Sequence, residues 1–220
     1  LTPTDDALFE GSETATLTIQ ANAAYTIGTA SDSVTIADND VATVTVLATD
    51  AAASEPGTNT GAYTFSRTGP TTAALSVNYA LSGTATSSAD YSSLGTSVTI
   101  PVGASSATVT LTPIDDALAE GPETATLTIQ ANAAYTIGTG AATVTISDND
   151  LPAITVSAGD ASASEAGPDT GSYTFNRTGP TTAALTVNFA LSGTAIDGSD
   201  YTSLGTSVTF PIGASSALVT

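Results

Sequence analysis

The sequence predicts an all-β protein built as tandem seven-stranded antiparallel β-sandwiches. Two observations carry that expectation. Short runs alternate apolar and polar residues with a period of two, as half-buried strands do, and no stretch shows helical periodicity. The chain also repeats itself: Leu1-Thr2-Pro3 recurs as Leu111-Thr112-Pro113, a displacement of 110 residues. The register holds without insertion, matching Asp40 with Asp150, Phe65 with Phe175, Asp90 with Asp200 and Pro101 with Pro211.

The repeat sets the predicted boundaries. Asp38-Asn39-Asp40 and Asp148-Asn149-Asp150 each close one strand just before another begins, so one whole domain is expected over residues 41–150. Residues 1–40 then read as the C-terminal part of one repeat and 151–220 as the N-terminal part of the next. Inside the whole domain the alternation predicts strands over Ala42–Ala48, Gly61–Arg67, Ala74–Ser82, Ser97–Pro101, Ala107–Pro113, Glu123–Ala131 and Ala141–Ser147. Turn residues separate them, among them Glu55-Pro56-Gly57, Thr68-Gly69-Pro70, Ser82-Gly83-Thr84 and Pro101-Val102-Gly103. Gly28 and Gly138 read as turn glycines before the last strand. Apolar residues such as Tyr63, Phe65, Val77, Tyr79, Leu127 and Val144 share one parity in each strand and form the expected core. The aromatics alternate with polar residues, which marks them as core before it marks a sugar-stacking surface.

Between two of these strands lies Asp115-Asp116-Ala117-Leu118-Ala119-Glu120-Gly121-Pro122-Glu123, with four carboxylates in nine residues. The same loop occurs as Asp5-Asp6-Ala7-Leu8-Phe9-Glu10-Gly11-Ser12-Glu13. Such loops are often merely solvated. Like charges held this densely by strand ends repel, and a hard divalent cation among them removes the repulsion. Oxygen ligands in this number suit calcium before magnesium.

Composition narrows the remaining classes. The chain holds 21 Asp plus Glu against two Arg and no Lys, a net charge of −19, which disfavours nucleic acid and anionic membrane as partners. It has no Cys and no His, so disulfides, thiolate chemistry and nucleophilic triads are unavailable, and without Lys there are no Lys–Asn cross-links. Bound calcium is an alternative staple. Repeated acid clusters lack the asymmetric pair and cleft of a glycosidase, so the expectation is a protein that is not an enzyme. No run of 18 apolar residues occurs. Met is absent even at position 1, leading to the expectation that a start, signal or anchor lies outside these residues. A surface rich in Thr, Ser, Asn and Gly suggests an extracellular or cell-surface setting. Arg67 and Arg177, in matching Arg-Thr-Gly-Pro turns, read as surface ion-pair partners or strand-end caps. Asn176-Arg177-Thr178 fits a glycosylation sequon by chance, since Ser66 replaces the Asn in the other copy.

Ser54-Glu55-Pro56-Gly57, then Gly83-Thr84-Ala85 with Asp90-Tyr91, the double-Asp loop, and the closing Asp148-Asn149-Asp150 stand in an order that resembles the Calx-β domain. That family occurs in sodium–calcium exchangers, integrin β4 and long bacterial surface proteins. The resemblance spans the whole chain and implies an immunoglobulin-like Greek-key sandwich with carboxylates converging at one end. Carried over residue by residue, it implies metal ligands at Glu55, Asp90, Asp115, Asp116, Glu120, Glu123, Asp148 and Asp150, with a carbonyl oxygen from Asn149. For the other copy it implies Glu165 and Asp200, and from a back half Asp5, Asp6, Glu10, Glu13, Asp38 and Asp40. Asn149 stands where exchanger domains carry a third Asp, which lowers the charge of the site. The loop Thr86-Ser87-Ser88-Ala89-Asp90 differs from Ile196-Asp197-Gly198-Ser199-Asp200, so the two are expected to differ in shape. Asp-Asn-Asp also occurs at cadherin interdomain calcium sites, but the double-Asp loop favours Calx-β, and the calcium nonapeptide of β-rolls is absent.

The expected function is a calcium-rigidified structural repeat of an extracellular fibre or adhesin stalk. A regulatory calcium sensor of a membrane protein and a carbohydrate- or protein-binding module are the alternatives. Neighbouring copies of the repeat, head to tail, are the expected partners. A segment equivalent to residues 1–40, joined covalently or donated by another molecule, would complete residues 151–220.

Overall fold

A computed structural model describes every residue except Ala7 and Pro168. Among the described residues there is no helix, and so none long and apolar enough to cross a membrane. The strands are β1 (Glu13–Thr18), β2 (Ser31–Ile36), β3 (Ala42–Asp50), β4 (Ala52–Ser54), β5 (Gly61–Arg67), β6 (Leu75–Gly83), β7 (Ser97–Ile100) and β8 (Ser106–Leu111). They continue as β9 (Glu123–Ile129), β10 (Tyr135–Ile137), β11 (Ala141–Ser147), β12 (Ile154–Asp160), β13 (Ser172–Arg177), β14 (Leu185–Asn188), β15 (Ser207–Phe210) and β16 (Ser216–Val219). The chain divides into two units, one of Leu1–Ile114 with Glu123–Ile146, the other of Asp115–Pro122 with Ser147–Thr220.

The first unit contains a sandwich of two sheets, ordered β10-β3-β5-β8 and β4-β11-β9-β6-β7. The alternating parity of each strand turns Val44, Val46, Tyr63, Phe65, Val77 and Tyr79 inward, where they are buried with Ile100, Leu111, Leu127 and Val144. Aromatics tie the layers together. Phe65 on β5 meets Tyr79 on β6 with ring centroids 5.5 Å apart. The Tyr63 hydroxyl donates to the Ala125 carbonyl at 2.6 Å, and burial pushes its pKa up to about 12. Separately from these sheets, β1 and β2 form an antiparallel pair.

All seven expected strands of the sandwich form, with ends displaced by up to two residues, and two short strands join them. β4 follows a register shift between Ala48 and Asp50, an irregularity that bends β3 so that the chain passes from one sheet to the other. β10 pairs with β3 in parallel, Tyr135 opposite Ala42, so the sandwich is not wholly antiparallel. Gly138 follows β10 and lies close against β3, donating to the Val44 carbonyl at 2.9 Å. A Cβ there would come within 2.9 Å of Thr45 Cγ2, so close approach to β3 is what this glycine provides.

In the second unit β12-β13-β16 form one sheet and β14-β15 another. Phe175 and Phe210 are buried, and Phe175 stacks on Phe189 at 5.5 Å.

Candidate metal centre

The double-Asp loops and the Asp-Asn-Asp turns are joined by one device, seen in both units. In the first, Asp38 Oδ2 accepts the backbone N–H groups of Glu10 at 2.8 Å and Gly11 at 2.9 Å, while its Oδ1 accepts that of Asp40 at 2.9 Å. These N–H groups, Asp40's first, hold the Asp38 carboxyl below the usual carboxylate range. In the second, Asp148 Oδ2 accepts the N–H of Glu120 and Oδ1 that of Asp150 at 2.8 Å. Asp6 and Asp116 each accept the N–H two residues on, from Leu8 at 2.8 Å and Leu118 at 2.6 Å, which fixes the loop's first turn. Four carboxylates expected as plain ligands, Asp6, Asp38, Asp116 and Asp148, therefore also act as loop braces, and Asp38 and Asp148 do most of the bracing.

Bracing brings the other acids together. Asp5, Asp6, Glu10, Glu13, Asp38 and Asp40 line one cavity of about 350 Å³ in the first unit, and Asn39 lines it too. Their mutual charge is visible in their ionisation. The Glu10 pKa is raised, most by Asp6 and then by Glu13. That of Asp40 is raised by burial and then by Asp38, Asp5 and Asp6. In the second unit Asp150 repeats this pattern, raised by burial and then by Asp148, Asp115 and Asp116. Its Oδ2 is buried and has no hydrogen-bond partner. Asp115 and Asp150 present carboxylate oxygens within 4.8 Å of each other. Among the described residues, no three carboxylates of the first loop converge to that distance. An orphaned buried oxygen, several carboxylates and no nitrogen or sulfur donor make a set that fits a hard cation.

The sequence between residues 37 and 150, and again between 154 and 220, matches the family model of the Calx-beta domain. This chain belongs to the Calx-beta family. Comparison with curated proteins finds no match. Among solved structures the chain is similar to the apo form of the Calx CBD1 domain, 20% identical, with a TM-score of 0.42 over 50% of this chain and 99% of that one. It is also similar to CBD12 from CALX1.2, 19% identical, with a TM-score of 0.40 over 79% of this chain and 73% of that one. A third is the calcium binding domain CBD12 of CALX1.1, 19% identical, with a TM-score of 0.37 over the same shares.

The remaining expected Calx-beta ligands fall as follows. Glu55 (8% exposed) sits in the turn between β4 and β5, and Asp90 (8% exposed) accepts the Thr86 N–H through Oδ2. Asp90 and Glu123 bring carboxylate oxygens within 4.8 Å of each other. Asn149 is exposed beside Asp148. Asp200 and Glu165 are exposed, and Asp200 Oδ2 accepts the Ile196 N–H at 2.7 Å. The loops ending at Asp90 and Asp200 have one shape, contrary to expectation. Both close on the carbonyl six residues before the tyrosine's successor, with Asp90 N–H on Thr86 O and Asp200 N–H on Ile196 O, each at 2.9 Å. Ser88 and Gly198 hold the same left-handed turn, at φ 72° and 76°.

Sequence reasoning missed the arginines. Arg67 and Arg177 are buried, not surface groups. Arg67 donates to the Ala73 carbonyl at 2.8 Å, Arg177 donates to that of Ala183 at 3.2 Å, and Arg177 lies 5.6 Å over the Phe210 ring. Their place beside the Arg-Thr-Gly-Pro turn matters, because the acidic loop rests there. In the first unit Phe9 lies on Gly69. In the second the Ala119 carbonyl would stand 2.7 Å from a Cβ on Gly179. Both glycines have φ of 79°, so only glycine fits this contact without strain.

Proposed function

We propose that the chain is a calcium-binding structural repeat of a long extracellular fibre or adhesin stalk, rigidified by Ca²⁺ at the loop end of each sandwich. The chain itself catalyses nothing in this reading. The supporting observation is the buried, unpartnered Oδ2 of Asp150 beside Asp115, Asp116 and Asp148, an arrangement that is repulsive until a cation neutralises it. Calcium tolerates irregular sets of six to eight oxygen ligands and so suits carboxylates offered by loops. Stiffening follows from the same loop, since Asp115–Pro122 also rests on the turn at Gly179. An ion that orders the loop orders that contact. Isothermal titration with calcium tests the reading: the unaltered chain is expected to bind, and Asp116→Ala together with Asp150→Asn to lose most of the heat while keeping the β-sheet circular dichroism. Unchanged binding in that double variant would refute the assignment.

A further inference from the structure

We propose that the second unit holds a site for a small zwitterion, an α-amino acid with a short side chain, bound between Arg177 and Asp150. Both residues line one cavity of about 200 Å³, together with Glu120, Ala119, Pro180 and Leu185. Arg177 is only 7% exposed, so its guanidinium has left bulk water. The Ala183 carbonyl accepts from its Nη1 and Nη2 at 3.2 Å each, and the Phe210 ring lies 5.6 Å from Cζ, which holds the group in place. The Nε–H is buried and has no acceptor, and Asp150 Oδ2 is buried and has no donor. The two charges therefore do not satisfy each other, although both face one cavity. Buried polar groups left in this state are costly. A ligand carboxylate answers Arg177 and a ligand ammonium answers Asp150, with Glu120 adding to the attraction for the ammonium. At about 30 Å³ per water the cavity amounts to about seven waters, which is room for about six to eight heavy atoms. Its remaining walls, Ala, Pro and Leu, suit a short aliphatic side chain.

The unsatisfied guanidinium is a property of the repeat, and one residue opens the cavity beside it. In the complete sandwich Arg67 is buried in the same way on the Ala73 carbonyl, and its Nε and Nη2 also lack acceptors. Residues 181–185 keep the exposure pattern of their counterparts 71–75, so this wall is as complete in the second unit as in the first. The acidic loops differ. Ala119 stands where the first loop has Phe9, whose ring lies against Gly69. A methyl group in place of that ring leaves the space beside Arg177 open. The site goes beyond the calcium reading and needs no metal. The ligand ammonium takes the place on Asp150 that calcium takes in that reading, so the two compete, and the site is measured in chelator.

Titration of the full chain with L-alanine in chelator, followed by ¹H–¹⁵N spectra, tests the proposal. A ligand of this size is expected to bind with Kd on the order of 1 mM, and the titration runs to about ten times that concentration. The chain has only two arginines, so two side-chain Nε–H signals are present. Alanine should shift the signal of Arg177 and leave that of Arg67 in place, and Arg177→Lys assigns the pair by removing one. Acetate and methylammonium, each offering half of the charge pair, should bind at least about tenfold more weakly than alanine. Ala119→Phe, which installs the residue the other acidic loop carries, should keep the dispersed β-sheet spectrum and weaken alanine binding by at least about tenfold. An Arg177 signal that alanine does not move would overturn the proposal. So would acetate binding as tightly as alanine, which would mean an anion pocket alone, or an Ala119→Phe chain that binds alanine as before.

Discussion

Ser88 occupies a left-handed turn at φ 72° that its counterpart Gly198 occupies at 76°. A side chain there costs about 1–2 kcal/mol, partly offset by the greater freedom glycine gives the unfolded chain. Ser88→Gly is therefore expected to stabilise the sandwich by up to about 1 kcal/mol, seen as a higher denaturant midpoint with an unchanged slope; a lower midpoint would contradict it. The turn also shows the limit of reading loops from residue identity. Two different sequences adopt one shape because the carboxylates of Asp90 and Asp200 each clamp the N–H four residues back. The acids of the candidate site were legible from their repetition, but not their division of labour. Asp38 and Asp148 brace loops through hydrogen bonds to residues 27 or 28 positions away, a pairing that no local pattern encodes. The burial of Arg67 and Arg177 was equally hidden, since a lone cation at a turn normally reads as solvated.

At the scale of strands, alternation revealed seven and missed two, although Ala53 on β4 and Tyr135 on β10 both enter the core. β4 and β10 have three residues each, too few for a period to show, and tertiary contacts place them. β10 depends on the Tyr135 hydroxyl, which donates to the Gln130 carbonyl at 2.7 Å. The same alternation also hides a difference between identical strands. Leu127 on β9 is fully buried while Leu17 on β1 is exposed, although their neighbours in sequence are the same. Leu127→Ala should cost about 2–5 kcal/mol, whereas Leu17→Ala should shift the denaturant midpoint little. Equal losses would mean that β1 is buried, against the structure.

For the whole molecule, the 110-residue repeat places one acidic loop cluster per period on a chain of net charge −19 with only two buried cations. Such a molecule carries its repulsion at defined loop ends, and its stability should answer to the ion that neutralises them. Thermal unfolding in calcium, in magnesium and in chelator measures this directly. With free calcium about a hundredfold above Kd, ligand linkage contributes about 2.7 kcal/mol, which for a domain of this size raises Tm by roughly 10 °C. Magnesium, which demands near-octahedral geometry and keeps its waters, should give a much smaller rise. A melting curve in calcium that superimposes on the curve in chelator would contradict the account.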